Sequence, residues 1–370
     1  MNLLYISSKK RWGGVSSWMN KTALGLQRRG HIIWIIAHPH GHFIKAADPK
    51  INLVKKKLGM DYNPLMVYFL TRFIKSRQID LVVTNIEKEV IIGGIAARLC
   101  KIPNIRRVGR EDDFNEKFKV KWHHKVLVNH SIVPCSLVRD NAVKRASWLD
   151  KNQFTIIYNG KNCVQYSKAE IAQKRKQWGL SGTDVIIGVT SQLARVKGID
   201  SLIKVFGKIN QNYPKTRLVI SGAGREKENL QSLVKAQNLS SQVVFAGFTK
   251  NPLLSAAAYD IAVSNSTFEG FPNTVVEYFA ASKPVITTNA GGVAEMVKHH
   301  ENALLIDCKD EAGLYKNMEI LLTNPEFAKK LGKNAAQTIK QGFSEDIMIA
   351  KLEDLFIREI KKHNKYNTKC

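Results

Sequence analysis

Two glutamates eight residues apart, Glu269 and Glu277, stand in the apolar segment STFEGFPNTVVEYFAASKPVITT of residues 266–288. Gly270 and Pro272 interrupt the chain between them, and the residues TVVEYFAAS that follow have the pattern of a helix. The segment comes directly after the strand-like run DIAVS. Because ligands of α/β domains bind at the carboxyl ends of strands, both carboxylates are candidates for chemistry.

The start of this helix is a candidate anion site. Asn273 is predicted to cap it, and the amides of Asn273 and Thr274 would then point at a phosphate. Glu277, about one turn into the helix, can accept hydrogen bonds from both hydroxyls of a ribose. Glu269 would face the group joined beyond a diphosphate. The alternative is that both are ordinary surface glutamates, with Glu277 favoured by the helix dipole.

Other strand-like runs are followed by a lysine or by glycines. Lys197, in TSQLARVKG, would place an ammonium group above a strand end, where it can neutralise a leaving diphosphate. Gly222, in SGAGREKENL, belongs to a G-x-G turn without the third glycine of a dinucleotide fingerprint, so NAD binding is rejected. Gly14, in RWGGVSSWM, lies in a turn that lets a ligand approach the backbone. A solvated lysine and plain turns are the alternatives.

The segment RRVGREDDF (106–114) ends a strand of the first half with a group of charges. Arg110, Asp112 and Asp113 are expected to bind an acceptor, because they follow the carboxyl end of that strand. Three histidines alternate in HPHGH (38–42). Histidine-rich loops at strand ends are common, so no metal site is predicted there.

Short apolar runs alternate with helix-like segments, which predicts parallel sheets covered by helices. A polar stretch from 158 to 170, with an Asn159-Gly160 turn, separates two such series. We therefore expect an α/β fold of two Rossmann-like, doubly wound domains that face a cleft. The first domain would be 1–165, completed by an amphipathic helix in 343–370 that crosses back to it, and the second 166–342.

The formal charge is +26, from 57 Lys and Arg against 31 Asp and Glu. The first 170 residues hold 30 of those cations and only 12 of the carboxylates. Such a surplus attracts polyanions, namely nucleic acid, anionic lipid or phosphorylated glycans, and general solubility is the plain alternative. Five scattered cysteines without a CxxC pair suit a reducing cytosol. Neither a signal peptide nor a membrane span is expected.

These segments, in this order, resemble the family 4 glycosyltransferases of the GT-B fold over most of the chain. GGVSSWMNKTALGLQRRGH is similar to the family's glycine loop and first helix, and SQLARVKG to its arginine-containing element. EGFPNTVVEYFAASKPVITTNAGGVAE is similar to the family's E-x7-E signature nearly throughout. One departure is Gln192, which stands where the family usually has an arginine, so Arg195 is a candidate substitute.

The resemblance implies a retaining transferase that takes its sugar from a nucleotide sugar, with a UDP-sugar expected first. It implies catalytic roles for Glu269, Lys197 and Arg195: Glu269 would take the donor sugar's hydroxyls and Lys197 the diphosphate, while Glu277 takes the ribose. The residues implied to contact the donor are Gly14, Gln192, Gly222, Phe248, Gly270, Phe271, Asn273, Thr274 and Glu277. The leaving phosphate would help to deprotonate the acceptor hydroxyl.

The resemblance also implies partners and a location. No metal-binding DxD is evident, so transfer without metal or other cofactor is expected. The basic first domain would bind a glycan or lipid-linked acceptor, in polysaccharide or lipopolysaccharide synthesis, and attach peripherally to the cytoplasmic membrane face. Two alternatives stay open: a sugar-nucleotide epimerase of the GT-B fold, and a nucleic-acid-binding protein suggested only by charge.

Overall fold

The computed structural model describes residues 1–11, 13–109 and 111–367. The chain divides into two compact units. One consists of Met1–Asn159 with Glu345–Cys370, and the other is Gly160–Ser344. Each unit has its own parallel sheet and its own apolar core.

The described residues of the first unit form seven strands and six helices before the chain leaves it. The strands are β1 (Asn2–Ser7), β2 (Ile32–Ala37), β3 (Asn52–Lys55), β4 (Leu81–Thr84), β5 (Asn104–Arg107), β6 (His130–Val133) and β7 (Phe154–Ile156). The helices are α1 (Gly14–Arg28), α2 (His42–Ala46), α3 (Pro64–Ser76), α4 (Glu87–Leu99), α5 (Phe118–Leu127) and α6 (Ser136–Arg145). Short 3-10 turns occupy Glu111–Asp113 and Lys151–Gln153.

The strands of this unit are parallel and lie in the order β3-β2-β1-β4-β5-β6-β7. Leu3, Leu4, Tyr5 and Ile6 are all fully buried, since both faces of the sheet are covered by helices. This is why the strand reads as a continuous apolar run rather than as an alternation. The strand order reverses between β1 and β4, and such a switch point is where doubly wound sheets bind ligands.

The second unit repeats this architecture with six strands and seven helices. The strands are β8 (Val185–Thr190), β9 (Thr216–Ser221), β10 (Val243–Gly247), β11 (Ile261–Ser264), β12 (Val285–Thr288) and β13 (Leu304–Ile306). The helices are α7 (Lys168–Gln177), α8 (Ile199–Asn212), α9 (Lys227–Ala236), α10 (Pro252–Ala257), α11 (Asn273–Ala280), α12 (Glu311–Thr323) and α13 (Pro325–Thr338). Turns of 3-10 helix occupy Arg195–Lys197 and Gly291–Glu295, and a π-helical turn occupies Ile339–Phe343. The strand order is β10-β9-β8-β11-β12-β13, with its switch point between β8 and β11.

A final helix, α14 (Glu345–Asn367), returns to the first unit. Its apolar stripe of Met348, Ile349 and Leu352 is buried in the same core cluster as Met19 and Leu26 of α1. Burial of this stripe explains why an amphipathic pattern was visible in the sequence. Among the described residues, no helix combines the length and the apolar character that crossing a membrane requires.

Candidate active site

The switch point of the second unit brings Lys197 and Glu269 together. Lys197 ends the 3-10 turn after β8, and Glu269 lies in the loop after β11, the strand that pairs with β8. The ammonium group of Lys197 forms an ion pair with Oε1 of Glu269, and Ser266 Oγ donates to the same oxygen at 2.8 Å. Their side chains are 19% and 16% exposed. The pair is therefore shielded from bulk water but open to a ligand.

The two loops that carry this pair are fixed to each other. Gly198 has φ 58°, and a Cβ there would overlap the carbonyl oxygen of Asn265, so the position requires glycine. The side-chain amide of Asn265 donates to the Gly198 carbonyl at 2.8 Å. The amide of Thr267 donates to the carbonyl of Val196 at 2.8 Å. These contacts hold the loop after β8 against the loop after β11.

Two buried tyrosines join the ends of the central strands beneath the site. The Tyr259 hydroxyl donates to Ser221 Oγ at 2.8 Å and lies 2.9 Å from Thr190 Oγ1. The amide of Thr190 donates to the Tyr278 hydroxyl at 2.6 Å. Burial raises the pKa of Tyr259 to about 12, so this phenol stays neutral at physiological pH and keeps its donor. These hydrogen bonds therefore join the ends of β8 and β9 beneath the loops that carry Lys197 and Glu269.

The start of α11 differs from the sequence prediction. Asn273 does not cap the helix: Pro272 occupies the N-cap position and Asn273 is the first helical residue. The Asn273 amide donates to the carbonyl of Phe271 at 2.9 Å, so it is not open to an anion as expected. The amide of Thr274 has no acceptor among the described residues, and it remains the candidate.

The loop before α11 is packed against neighbouring segments of the second unit. Gly270 accepts a hydrogen bond from the amide of Gly292 at 2.8 Å. Phe271 is 6% exposed and stacks on Phe343 with ring centroids 6.4 Å apart. Gly270 and Phe271, both predicted to contact the donor, therefore shape the loop that carries Glu269.

Glu277 has a partner that sequence reasoning missed. Its Oε1 lies 3.0 Å from the ammonium group of Lys161, and the two side chains are 15% and 24% exposed. Lys161 stands in the polar stretch predicted to be a linker, and its amide donates to the carbonyl of Phe343 at 3.0 Å. Nothing local in the sequence indicates this contact, because 116 residues separate the two side chains. One carboxylate oxygen of Glu277 is thus engaged by a cation.

Gly222 and Phe248 lie at the carboxyl ends of β9 and β10. Gly222 has φ 158°, and a Cβ there would overlap the carbonyl oxygen of Ser191. Its amide donates to the carbonyl of Gly247 at 2.7 Å, which joins the turn after β9 to the end of β10. Phe248 follows directly and is 73% exposed. A flat apolar ring presented to solvent beside these turns is suited to stacking on a nucleobase.

Arg195 and Gln192 lie in the loop after β8, and the contacts described next join them to residues other than Lys197 and Glu269. The Nε of Arg195 lies 3.4 Å from Glu226, and 82% of the side chain is exposed. Gln192 is exposed, and its carbonyl accepts the amide of Ala194 at 2.9 Å. An exposed guanidinium in one surface ion pair can leave that pair and bind an anion, because such pairs contribute little free energy to stability.

The remaining predicted residues lie in the first unit. Gly14 opens α1 and is exposed. Arg110 lies outside the described residues. Asp112 is exposed, and Asp113 has an oxygen 3.9 Å from Nη2 of Arg106. Among the described residues there is no group of three side chains suited to hold a metal ion.

Known proteins resemble this chain in sequence and in fold. Residues 170–338, which lie in the second unit, match the sequence model of the family described as Glycosyl transferases group 1. This segment is therefore similar in sequence to glycosyltransferases of that group. It contains the Lys197–Glu269 ion pair at the second switch point, and it contains Glu277.

Two curated relatives extend the comparison. The lipopolysaccharide core biosynthesis glycosyltransferase LpsD of Rhizobium meliloti (strain 1021) is 30% identical over 48% of this chain and 50% of its own. The alpha-monoglucosyldiacylglycerol synthase of Acholeplasma laidlawii is 24% identical over 92% of both chains. The chain spans about half the length of several other curated relatives it matches.

The crystal structure of Anabaena Alr3699/HepE in complex with UDP has a TM-score of 0.84 to this chain at 18% identity. The match covers 97% of this chain and 100% of that one. A similarity of this extent establishes the fold, which is GT-B with two Rossmann-like units and a C-terminal helix. The expected fold class is confirmed.

Proposed function

We propose that this chain is a retaining glycosyltransferase of family 4. It would move a hexose from a UDP-sugar to a glycan or a lipid-linked acceptor in surface polysaccharide or lipopolysaccharide synthesis. The observation that carries the proposal is the Lys197–Glu269 ion pair at the switch point of the second unit, close in sequence to Glu277 on α11. The glycosyltransferase match over residues 170–338 supports it.

The contacts of the three charged side chains suggest their roles. Glu277 has one oxygen on Lys161, and its carboxylate would accept the ribose hydroxyls. Glu269 is held by Lys197 and Ser266, and it would accept hydroxyls of the donor sugar. Lys197, with the amide of Thr274 and the exposed Arg195, would then hold the diphosphate.

The proposed reaction needs no protein base. The bond between the anomeric carbon and the diphosphate oxygen breaks while the acceptor oxygen bonds to the same face of that carbon. The acceptor's proton passes to an oxygen of the departing diphosphate. Lys197 stabilises the charge that develops there, so we propose that transfer is independent of a metal ion. Glu269 already accepts hydrogen bonds from two groups, which suits positioning better than nucleophilic attack.

The choice of donor is supported by structural relatives. Solved structures of HepE are complexes with UDP, with UDP and glucose, and with UDP-glucose. In this chain, the exposed Phe248 beside the Gly222 turn is suited to a uracil base. The epimerase alternative is not favoured, because the curated relatives are named as transferases and synthases. We propose no nucleic-acid partner, and duplex DNA that outcompetes UDP-sugar for the protein would contradict this.

Thermal-shift screening against UDP-, GDP- and ADP-sugars, followed by UDP release from UDP-glucose with water as acceptor, tests this proposal. UDP-sugars should give the largest shift. Glu269→Gln should lower UDP release about 10- to 100-fold, because hydrogen bonds to a charged group contribute about 1.5–3 kcal/mol. UDP affinity should stay within about twofold of wild type, since the proposed contact is with the sugar and not with the nucleotide.

Glu301→Gln is the matched control, because Glu301 is a 67% exposed carboxylate that pairs with Lys298 in the same unit. It should leave UDP release and UDP affinity unchanged. Full UDP release by Glu269→Gln would show that Glu269 does not contact the donor sugar. Absence of a shift with every nucleotide sugar would contradict the proposed function itself.

We also propose that the first unit attaches to an anionic membrane surface. Five large apolar side chains are exposed around α3 and α5, and we call them the apolar patch: Met60 (81%), Leu65 (79%), Tyr68 (63%), Phe118 (79%) and Trp122 (44%). Tyr62, just before α3, connects the α3 side of the patch to α5. Its hydroxyl contacts His123 of α5, and Lys119 Nζ lies 5.6 Å from the centroid of its ring. Exposed apolar side chains among lysines are typical of membrane-surface helices.

Flotation with phosphatidylglycerol and phosphatidylcholine vesicles tests the apolar patch. The wild type should float with the anionic vesicles at low salt, and Phe118→Ser combined with Trp122→Ser should reduce the bound fraction about tenfold. Ile32→Ser is the control. Ile32 is a 50% exposed apolar side chain of the first unit that does not belong to the apolar patch, and it lies at the amino-terminal end of β2. Equal flotation of the double variant and the wild type would refute this surface.

A further inference from the structure

Lys161 forms an ion pair with Glu277 that is mostly shielded from water. Its ammonium nitrogen lies 3.0 Å from Glu277 Oε1, and the two side chains are 24% and 15% exposed. A fully exposed pair would contribute little free energy, but taking two charges partly out of water is costly. Lys161 belongs to the polar stretch 158–170 and not to the E-x7-E pattern. The position of this cation on the candidate ribose contact therefore suggests a role in the site.

The backbone around Lys161 is fixed to the end of the second unit. The Lys161 amide donates to the carbonyl of Phe343 at 3.0 Å. Two residues later, Cys163 Sγ lies 3.6 Å from the carbonyl oxygen of Ala336 in α13. Phe343 ends the π-helical turn Ile339–Phe343, a rare kind of turn that is frequent at functional sites. The Lys161 side chain therefore starts from a fixed point.

Glu277 is held in place through its neighbour in α11. Tyr278 is fully buried, and its hydroxyl accepts a hydrogen bond from the amide of Thr190 at 2.6 Å. Thr190 is the last residue of β8, so this contact ties α11 to the end of that strand. The Lys161–Glu277 pair therefore joins two segments that are each anchored by other contacts.

The two charged groups are complementary toward a hydroxyl group. A carboxylate can only accept hydrogen bonds, whereas an ammonium group can only donate and has three donors. A hydroxyl group does both. Among the described residues, Glu277 is the only ion-pair partner of the Lys161 ammonium group, so it has donors left for a ligand. A ribose diol beside this pair can give protons to Glu277 and accept one from Lys161.

The pairing of charges also suits an anionic ligand. Glu269 pairs with Lys197 and Glu277 pairs with Lys161, so each carboxylate of the E-x7-E pattern has its own lysine. A diphosphate would be repelled by an unpaired carboxylate nearby, because like charges a few ångströms apart oppose each other. Lys161 reduces this repulsion for Glu277 as Lys197 does for Glu269.

We propose that Lys161 determines specificity for the ribose of the donor. Its ammonium group donates to the oxygen of a ribose hydroxyl, while Glu277 accepts a ribose hydroxyl proton. The ligand class is a nucleoside diphosphate that carries both hydroxyls of ribose. This assignment rests on the proposed function, which places a nucleotide against Glu277, and it adds a cation from outside the E-x7-E pattern to the ribose site.

Calorimetric titration of the full chain tests the assignment with three probes: UDP, 2′,3′-dideoxyuridine diphosphate and pyrophosphate. Lys161→Met should weaken UDP binding about tenfold or more, because a hydrogen bond from a charged donor is lost. At about 0.15 M salt it should weaken the other two probes no more than about threefold, since only a screened, longer-range attraction is removed. The ratio of these effects measures the coupling of Lys161 to the ribose hydroxyls, which a merely structural role would not produce.

Arg217→Met is the matched control. Arg217 Nη2 lies 3.3 Å from Asp184, and these side chains are 26% and 12% exposed, close to the values for Lys161 and Glu277. The control pair lies at the amino-terminal ends of β9 and β8, whereas the candidate site lies at the carboxyl ends. Arg217→Met should leave the affinity for all three probes unchanged. If it weakened UDP binding as much as Lys161→Met does, the effect would be a general one and the assignment would be wrong.

The probes separate the other outcomes. Unchanged UDP affinity in Lys161→Met would overturn the assignment, and equal weakening of all three probes would assign Lys161 to the diphosphate instead. Should Lys161→Met fail to fold, Lys161→Gln carries the same comparison, because it removes the charge and keeps a polar group beside Glu277. Equal effects of Lys161→Gln on UDP and the dideoxy nucleotide would then overturn the assignment.

The wild type separates this inference from the proposed function. A wild type that binds no UDP would contradict the proposed function and this inference with it. A wild type that binds UDP and the dideoxy nucleotide equally well would leave the proposed function standing and refute recognition of the ribose by Lys161.

Discussion

Replacing Lys197 with methionine should lower the rate of UDP release from UDP-glucose about 10²- to 10³-fold. The ammonium group of Lys197 is the charged donor at the switch point between β8 and β11, and in the free protein it pairs with Glu269. As the bond to the diphosphate breaks, negative charge builds up on the leaving oxygens. Removing a single preorganised donor to such a charge costs about 10²–10³ in kcat.

The comparison of kcat with UDP affinity shows where Lys197 acts. A loss confined to the transition state lowers kcat and kcat/KM together, whereas loss of simple binding raises KM alone. Lys298→Met is the control, because the Lys298 side chain is 74% exposed and pairs with Glu301 in the same unit. Methionine preserves most of the length of the Lys197 side chain, so folding should survive. A Lys197→Met protein that releases UDP at the wild-type rate would exclude Lys197 from the reaction.

Glu277→Ala should raise the dissociation constant for UDP about 10²-fold or more and abolish the UDP-induced thermal shift. The carboxylate would accept two ribose hydroxyls, and each hydrogen bond to a charged group contributes about 1.5–3 kcal/mol. The substitution also leaves Lys161 without the carboxylate that lies 3.0 Å from its ammonium group. Because Lys161 is still 24% exposed, water can solvate it, and the fold should persist.

Pyrophosphate distinguishes ribose recognition from general damage to the site. It lacks the ribose, so Glu277→Ala should bind it as well as the wild type does, or better, since a negative charge has been removed. UDP lacking the ribose 2′-hydroxyl should bind the wild type more weakly and the variant no differently from UDP. An undiminished UDP shift in Glu277→Ala would remove Glu277 from the nucleotide site.

Much of the fold follows from local sequence patterns. The features that these patterns do not reveal have physical causes. Buried parallel strands are continuous apolar runs, so LLYIS and VIIGVT identify β1 and β8 directly. The strand β3 (Asn52–Lys55) is not evident from the sequence, because its residues are half-buried or exposed at the edge of the sheet and NLVK has no long apolar run. The prediction that Asn273 caps α11 was wrong because cap position depends on the path of the incoming loop, where Pro272 takes the N-cap.

The site was harder to predict because its contacts join distant segments. The E-x7-E pattern places Glu269 and Glu277 near one helix end, but not the partners of those carboxylates. Lys197 and Lys161 lie 72 and 116 residues away in sequence. Such pairings depend on strand order, which the sequence alone leaves open. The roles of these side chains stay predictions until the variants are measured.

The return of α14 to the first unit has a consequence for synthesis of the chain on the ribosome. The second unit, Gly160–Ser344, is a continuous segment, so all of its strands are available once residue 344 has emerged. The first unit begins earlier yet finishes later, because its core cluster, which includes Met19 and Leu26 of α1, lacks Met348, Ile349 and Leu352 until α14 has been made. During synthesis, the second unit can therefore finish folding before the first unit does.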